Sequence, residues 1–219
     1  MTDRARGRMA PRDVIVATRN AGKASELREL LAALPFRILS LDDAGIAPEP
    51  EEDDVENGTT FTENAVAKAR YFAARAGGRA VIADDSGLCV DALGGAPGVR
   101  SRRYSGALGS EREVSRANCA HLLEALRGVD GRRAHFACAI AYSADGAEVV
   151  GVGRTNGRIL DEARGAAGFG YDPLFWSDDL QRSFGEARAA DKARVSHRAR
   201  AVAQLVRALD ADAPAPNDR

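Results

Sequence analysis

Short apolar runs alternate with amphipathic segments in the first half of the chain. Residues 14–18 (VIVAT) and 36–41 each predict a strand, and the first of these ends in the polar loop 19–22. Between them, a helix is predicted over residues 24–34, because four leucines share one face and Pro35 follows. This order, a strand followed by a helix and another strand, is typical of an α/β fold.

The next segments continue the alternation. A T-x-x-E capping box at Thr60 opens a predicted helix that runs to about Ala76, where two glycines follow. Residues 80–85 predict a strand that leads into a Ser-Gly turn. Before the helix, the acidic segment 48–56 is expected to be a loop.

The second half adds an antiparallel pair. A loop over 93–106 precedes a predicted helix over 111–126, and strands over 134–143 and 147–155 surround a three-residue turn. Ser196 is a good N-cap for a last helix that runs to about Leu209. Together these segments predict an α/β domain with a mixed sheet.

The two ends of the chain lack this periodicity. Residues 1–12 carry four arginines, and residues 211–219 are rich in proline and alanine, so both are expected to be disordered. The remaining residues, 13–210, are predicted to form a single catalytic domain. The basic start has no apolar segment of the kind found in secretory signals, which favours a cytoplasmic protein.

The charge balance limits the possible partners. The chain of 219 residues has 31 basic and 32 acidic side chains, a formal net charge of −1. A sequence-independent nucleic-acid binder or a polybasic membrane anchor needs a surplus of lysine and arginine, so we expect no nucleic acid and no membrane as partner. The three cysteines and three histidines are scattered, which favours a hard cation held by carboxylates if a metal is bound.

The first candidate for chemistry is the segment Thr18-Arg19-Asn20-Ala21-Gly22-Lys23, between a strand and a helix. Free N–H groups at a helix start favour phosphate, and Lys23 adds a positive charge. The segment is not a Walker A loop, because Ala17 and Ala24 stand where that loop needs Gly and a hydroxyl. An ordinary connection between a strand and a helix explains the pattern equally well.

The second candidate is a set of carboxylates at Glu56, Glu63, Asp84 and Asp85. Asp84 and Asp85 should point to opposite faces of their strand, and periodicity does not decide which one faces a site. Carboxylates at these positions suit Mg²⁺ bound together with a polyphosphate, and Lys68 could add positive charge. The alternatives are a plain turn at DDSG, a capping role for Glu63 and a solvated acidic loop.

The third candidate is the loop Gly168-Phe169-Gly170-Tyr171-Asp172-Pro173 together with Lys192, His197 and Arg198. Glycines beside the aromatic residues let a ring stand where it could stack on a base. The polar residues could then bind base edges and ribose, since arginine offers a rigid fork of donors. The alternatives are aromatic residues that pack in a turn and polar residues in the first turn of a helix.

Five blocks of this sequence, in order, resemble the inosine-triphosphate pyrophosphatase family, also called the dITP/XTP pyrophosphatases. The blocks are TRNAGKASEL, ENGTTFTENAVAKAR, ADDSGLCVDALGGAPGVRSRRYSG, GFGYDPLF and SHRARA, within a match from about Val14 to Leu209. The resemblance implies a long curved mixed sheet flanked by helices, with two lobes around a central cleft. It also implies an Mg²⁺-dependent homodimer that hydrolyses ITP, dITP and XTP to the monophosphate and pyrophosphate.

The resemblance further implies a role for each matching residue. Glu56 and Asp85 would hold Mg²⁺, and Asp85 would accept the proton of the attacking water. The residues expected to bind the nucleoside triphosphate are Thr18, Arg19, Asn20, Ala21, Gly22, Lys23, Ser86, Phe169, Gly170, Tyr171, Asp172, Lys192, His197 and Arg198.

The sequence departs from the family pattern at Arg19, where a small residue is common, and at Arg102, where alanine is common. Three other functions stay open: a nucleotide-binding regulatory protein without hydrolysis, a phosphotransferase that uses the Lys23 loop on ATP, and a nucleic-acid module. The intact acidic residues count against the regulatory protein, and the missing Walker hydroxyl counts against the phosphotransferase. The net charge counts against the nucleic-acid module.

Overall fold

The computed structural model describes residues 12–144 and 146–211, and these residues form one sheet of seven strands. The strands are β1 (Arg12–Val16), β2 (Phe36–Leu39), β3 (Val81–Val90), β4 (Arg133–Ala144), β5 (Ala147–Ile159), β6 (Phe175–Ser177) and β7 (Arg182–Ser183). Their order across the sheet is β2-β1-β3-β4-β5-β6-β7. β1 runs parallel to β2 and β3, whereas every later pair is antiparallel, so the sheet is mixed as predicted.

Five α-helices flank this sheet in the described ranges. They are α1 (Ala21–Leu31), α2 (Phe61–Arg75), α3 (Glu111–Ala125), α4 (Ala189–Val195) and α5 (His197–Ala211). The predicted capping box opens α2, since Thr60 accepts from the Glu63 N–H and Glu63 accepts from the Thr60 N–H. Ser196 separates α4 from α5 and accepts from the Ala199 N–H at 3.1 Å, which confirms it as a cap.

The strand β3 extends further than the sequence pattern predicts. Ser86 and Gly87 were expected to form a turn after residue 85, but the strand continues through both to Val90. The reason is tertiary: the short 3-10 helix Gly98–Arg103 lies directly on the strand at Gly87. A Cβ at Gly87 would lie 2.4 Å from the Gly98 carbonyl oxygen, so this glycine serves a close approach and not a turn.

Glycines also bring α5 against β5. A Cβ at Gly151 would lie 2.3 Å from the Ala201 carbonyl oxygen, and one at Gly153 would lie 2.1 Å from the His197 carbonyl oxygen. The helix backbone therefore rests directly on the strand. This contact fixes the distance between the first turn of α5 and the sheet.

Three groups of buried apolar side chains hold the elements together. One lies between α1, α5 and the sheet, a second lies between α2 and the opposite face, and a third lies around β6, β7 and α3. A cleft of about 340 Å³ is lined by the segment after β1, by β3 and by the first turn of α5. No helix in the described part of the chain has the length and apolar character that crossing a membrane requires.

Residues 1–11, 145 and 212–219 lie outside the described residues, and the predicted disorder of the two ends falls almost entirely there. The predicted disordered ends also include Arg12 and Ala211, and for these two residues the prediction is wrong. In the structure they are the first residue of β1 and the last residue of α5.

Candidate active site

The cleft brings together nearly all the residues that the sequence singled out. Its lining includes Thr18, Arg19, Asn20, Lys23, Glu56, Lys68, Asp85, Ser86, Phe169, Gly170, Tyr171, Asp172, Lys192, His197 and Arg198. Ala21 and Gly22 are the two predicted binding residues outside this lining. Ala21 is the exposed first residue of α1, and Gly22 packs against the ring of Phe169.

The segment at residues 18–23 is a helix start facing the cleft. α1 begins at Ala21, three residues before the predicted start, because Asn20 caps it by accepting from the Lys23 N–H at 2.8 Å. Lys23 therefore lies in the first turn, where backbone N–H groups and the helix dipole favour an anion. The same Asn20 donates to Glu111 of α3 at 2.7 Å, which joins the two walls of the cleft.

Asp84 and Asp85 point to opposite faces of β3, as predicted. Asp85 lines the cleft and accepts from Asn64 of α2 at 2.8 Å. Asp84 is fully buried on the other face, where it contacts Arg198 of α5. The structure thus decides the question that periodicity left open: Asp85 faces the cleft.

Asp84 is the centre of a buried ion cluster. Its Oδ2 lies 3.2 Å from the Lys23 ammonium and 3.1 Å from the Arg198 guanidinium, and it accepts from Ser86 at 3.1 Å. Burial opposes ionisation, but the charges of Lys23, Arg198 and Lys68 outweigh it and hold the pKa of Asp84 far below its usual value. Asp84 is therefore a permanent anion that orients two cations.

Asp85 has the opposite electrostatics. Burial raises its pKa to about 6. The charge of Glu56 adds to this effect, whereas the charge of Lys23 and the hydrogen bond from Asn64 oppose it. Neighbouring carboxylates whose pKa values are pushed apart are typical of a division of chemical roles. A carboxyl group with a pKa near neutrality can take up and release a proton at working pH.

Glu56 and Lys68 form an ion pair in the lining of the cleft. The Lys68 ammonium donates to Glu56 Oε1 at 2.5 Å and to the Asp84 carbonyl oxygen at 3.3 Å. Burial would raise the pKa of Glu56, but the charge of Lys68 lowers it below its usual value. Glu56 is therefore an ionised carboxylate at the edge of the cleft.

The carboxylates of Glu56 and Asp85 fit a magnesium ion, because a cation between them would relieve their repulsion. Glu56 and Asp85 share the cleft and repel each other, since each ionised carboxylate disfavours the charge of the next. In the described ranges no group of three or more histidine, cysteine, aspartate or glutamate side chains is placed to hold a metal. Two carboxylates completed by substrate oxygens and water are the usual protein share of a magnesium site.

The opposite wall carries an aromatic loop fixed by Asp172. Its carboxylate is buried, accepts from the Phe169 N–H at 2.8 Å and pairs with Lys192 at 2.5 Å. The Phe169 ring lies within reach of two cations, with the Lys192 ammonium 5.1 Å and the Arg198 guanidinium carbon 5.8 Å from its centre. Tyr171 also lines the cleft. Its side chain is buried, and its hydroxyl donates to the Ser101 carbonyl oxygen at 2.8 Å.

His197 and Arg198 begin α5 at the base of this wall. The His197 ring stacks on Phe136, with 4.8 Å between ring centres, and burial holds its pKa well below the usual value, so the ring is neutral. Arg198 donates to Asp84, Ser86 and Glu26. These contacts use four of its five N–H groups and leave one on Nη1 that the described residues do not engage.

Glu26, which pairs with two residues of the cleft lining, is a residue that the sequence pattern did not reveal. It accepts from Lys192 at 2.7 Å and from the Arg198 guanidinium, so one carboxylate of α1 holds both cations of the aromatic wall. Burial opposes ionisation, yet these two charges lower the pKa of Glu26. In sequence it is an ordinary polar position between the apolar ones of an amphipathic helix, and only the packing of α1 against α5 shows its role.

A mixed α/β sheet with a helix start, paired carboxylates and an aromatic wall around one cleft defines a protein built to bind a phosphorylated ligand. Comparison with known proteins assigns the chain more narrowly. The model of the Ham1 family matches residues 14–208, and the chain belongs to this family. The assignment confirms the resemblance seen in the five sequence blocks.

Individual relatives agree with this assignment. A protein of Methylibium petroleiphilum named dITP/XTP pyrophosphatase is 46% identical over 88% of this chain and 95% of its own length. One of the same name from Geobacter sulfurreducens is 47% identical over 88% of this chain and 94% of its own length.

Solved structures show the same fold. The Ham1 protein of Coxiella burnetii superposes with a TM-score of 0.77 at 36% identity, over 91% of this chain and 99% of that one. A nucleoside-triphosphatase, or dITP/XTP pyrophosphatase, from Mycobacterium abscessus gives a TM-score of 0.66 at 40% identity, over 92% and 99%.

Proposed function

We propose that this protein hydrolyses noncanonical purine nucleoside triphosphates, namely ITP, dITP and XTP, to the monophosphate and pyrophosphate. The names of its relatives support the reaction. The observation that carries the proposal is the position of Asp85, whose carboxyl group has a pKa of about 6 and faces the same cleft as the start of α1. Such an enzyme would remove deaminated purines from the nucleotide pool.

The triphosphate would bind at the start of α1. Its charge would be met by the positive end of the α1 dipole, by Lys23 and by Lys68. Thr18 and Asn20 line the same wall and can donate to phosphate oxygens. Because Lys23 is anchored by Asp84, its ammonium is already in position before the ligand arrives.

Asp85 would then act as the general base. It takes a proton from a water molecule as the water oxygen attacks the α-phosphorus, and the bond from this phosphorus to the oxygen that bridges it to the β-phosphorus breaks. Pyrophosphate leaves with that oxygen. Asn64 donates to Oδ2 of the Asp85 carboxylate and fixes the orientation of this group.

The aromatic wall would select the base. Phe169 is placed to stack on a purine, and the Nη1–H of Arg198 that the described residues leave free can donate to an oxygen at purine position 6. Adenine has an amino group there, so the buried donor would lose its acceptor at a cost of about 1–3 kcal/mol. Lys192, His197 and Asp172 complete the wall and hold its geometry.

Magnesium is part of this proposal. Glu56 and Asp85 would hold it with oxygens of the substrate, and the ion would supply charge neutralisation on the phosphates. We also propose a cytoplasmic homodimer, by analogy with the family alone.

The decisive experiment is a screen of nucleoside triphosphates with Mg²⁺ and the purified protein, with both products identified. We expect pyrophosphate and a monophosphate from ITP, dITP and XTP, and little turnover of ATP. Tight binding of ITP without turnover would instead indicate a nucleotide-binding regulatory protein. Formation of ADP from ATP in preference to turnover of ITP would indicate a phosphotransferase or an ATPase.

A further inference from the structure

Arg19 lies in the phosphate-binding segment, yet its side chain turns away from the helix start. Its guanidinium donates to both carboxylate oxygens of Glu52, at 3.0 and 2.9 Å. It also donates to the Ile46 carbonyl oxygen at 2.9 Å and to Asp42 at 3.3 Å. A two-point contact between arginine and a carboxylate fixes distance and orientation together.

Glu52 is held from a second side. It belongs to the 3-10 helix Pro50–Asp54, and its carboxylate also accepts from Arg75 at the end of α2, at 2.8 Å. Arg75 in turn donates to the Ala47 carbonyl oxygen at 2.8 Å and pairs with Glu49 at 2.8 Å. The carboxylate of Glu52 is mostly buried, with 13% of its side chain exposed. The 3-10 helix is therefore fixed between the phosphate-binding segment and α2.

This helix ends two residues before Glu56. Arg19, Glu52 and Glu56 all line the same cleft, so a shift of the 3-10 helix would move Glu56 relative to Lys23. Arg19 and Glu52 are 33 residues apart in sequence. Their contact joins the segment that carries the positive charge of Lys23 to the segment that carries the negative charge of Glu56.

We propose that Arg19 is a positioning residue that acts through Glu52 to hold the carboxylate of Glu56 where the cation binds, and that its side chain does not bind phosphate. This inference rests on the proposed function for the identity of the ligand. It replaces the phosphate contact that the family resemblance implies for Arg19.

The sign of the effect separates this role from simple electrostatics. Arg19 is a cation near an acidic site, so Coulomb's law alone predicts that its removal strengthens Mg²⁺ binding. A positioning role predicts the reverse, because Glu56 would no longer be held in place for the cation. Loss of a group that orients a metal ligand typically weakens metal affinity by about 10- to 100-fold. Phosphate binding by Arg19 predicts a third result: Glu52→Gln would free the guanidinium and tighten nucleotide binding.

The test compares Arg19→Ala, Glu52→Gln and the double variant with the unmodified protein. Calorimetry measures Mg²⁺ binding to the protein alone and to its complex with α,β-methylene-ITP, whose bridging carbon blocks cleavage, and it also measures binding of this analogue to each protein. We expect Mg²⁺ affinity to fall about 10-fold or more in each single variant. The double variant should be little worse than either, since both substitutions break one contact.

Arg37→Ala is the matched control. Arg37 makes the same two-point contact with Asp13, at 2.6 and 2.5 Å, on β1 and β2 and outside the lining of the cleft. It should leave Mg²⁺ affinity unchanged. Hydrogen exchange gives a further readout: amides of residues 49–56 should exchange faster in Arg19→Ala and not in Arg37→Ala.

Unchanged or tighter Mg²⁺ binding in Arg19→Ala would overturn the inference, as would tighter nucleotide binding in Glu52→Gln. Neither result would affect the proposed function, which is tested by turnover of ITP in the unmodified protein. If that protein does not hydrolyse ITP, the function fails, and the Mg²⁺ titration of the protein alone still tests the role of Arg19.

Discussion

The ring of Phe169 lies directly on the backbone of Gly22. A Cβ at Gly22 would be 2.5 Å from Cδ1 of that ring, closer than real Cβ atoms come to other carbons. Through this contact the start of α1, where phosphate is proposed to bind, touches the wall where the base is proposed to stack. The two halves of the site are thus set against each other with no space for a side chain.

Gly22→Ala should therefore move Phe169 and lower kcat/KM for ITP by about 100-fold, because misplacement by an ångström is costly at a reacting site. Steady-state kinetics would measure the loss. Gly131→Ala is the control, since a Cβ there would meet its nearest neighbour, Ala92, at an ordinary 3.6 Å. Activity of Gly22→Ala equal to that of Gly131→Ala would show that the contact is not needed.

Asp85→Asn should lower kcat by about 100- to 10,000-fold, because the amide cannot take a proton from water. Thermal unfolding should stay close to that of the unmodified protein, and α,β-methylene-ITP should still bind. Asp54→Asn, at an exposed position near the cleft, should retain activity. Substantial turnover by Asp85→Asn would place the general base elsewhere.

Arg198→Met should destabilise the fold by about 3–5 kcal/mol, because it removes one of the two cations that pair with the fully buried carboxylate of Asp84 and one of the two that pair with the partly buried carboxylate of Glu26. Urea unfolding would measure the change. For comparison, Arg133→Met breaks an exposed pair with Asp178 at 3.0 Å and should cost less than about 1 kcal/mol. Similar costs for both variants would contradict the structural importance of the buried cluster.

Stability should also depend on pH through His197. Burial, followed by the charges of Arg198 and Lys192, holds the pKa of this ring well below its usual value. The unfolded chain therefore binds a proton below about pH 6.5 that the folded protein does not, and the free energy of unfolding falls with decreasing pH by up to about 1.4 kcal/mol per unit.

His197→Gln removes this dependence. We expect the difference in unfolding free energy between the unmodified protein and His197→Gln to be constant above pH 7 and to shift in favour of the variant between pH 6.5 and 5. Urea unfolding at several pH values would test this. Parallel curves for the two proteins across that range would show that His197 is protonated in the folded state.

The sequence predicted those parts of the fold that depend on local periodicity and caps. The helix after Thr60 and the hairpin of β4 and β5 are where the pattern places them. The turn predicted at Ser86 and Gly87 was wrong, since a glycine that admits a neighbouring backbone has the same letter as one that turns a chain. β6 and β7, of three and two residues, are too short to show a period.

The residues of the site divide in the same way, into those that sequence motifs reveal and those that only tertiary packing reveals. Asp85, Lys23 and Phe169 were found because they stand in recognisable motifs, and the cleft does gather them. Their roles in binding and catalysis stay predictions. Glu26 and Asn64 were missed, because each is a polar residue on an amphipathic helix whose partner lies far away in sequence. Only tertiary packing distinguishes such residues from solvated ones.

The glycines of β5 set the depth of the cleft on the side where we propose that the purine binds. Since α5 rests on Gly151 and Gly153, a methyl group at either position would raise the helix and carry His197 and Arg198 with it. A lineage could therefore change its preference among nucleobases by substitutions on β5, a strand whose residues do not line the cleft. Searches for altered specificity should sample these two positions alongside the residues of the pocket itself.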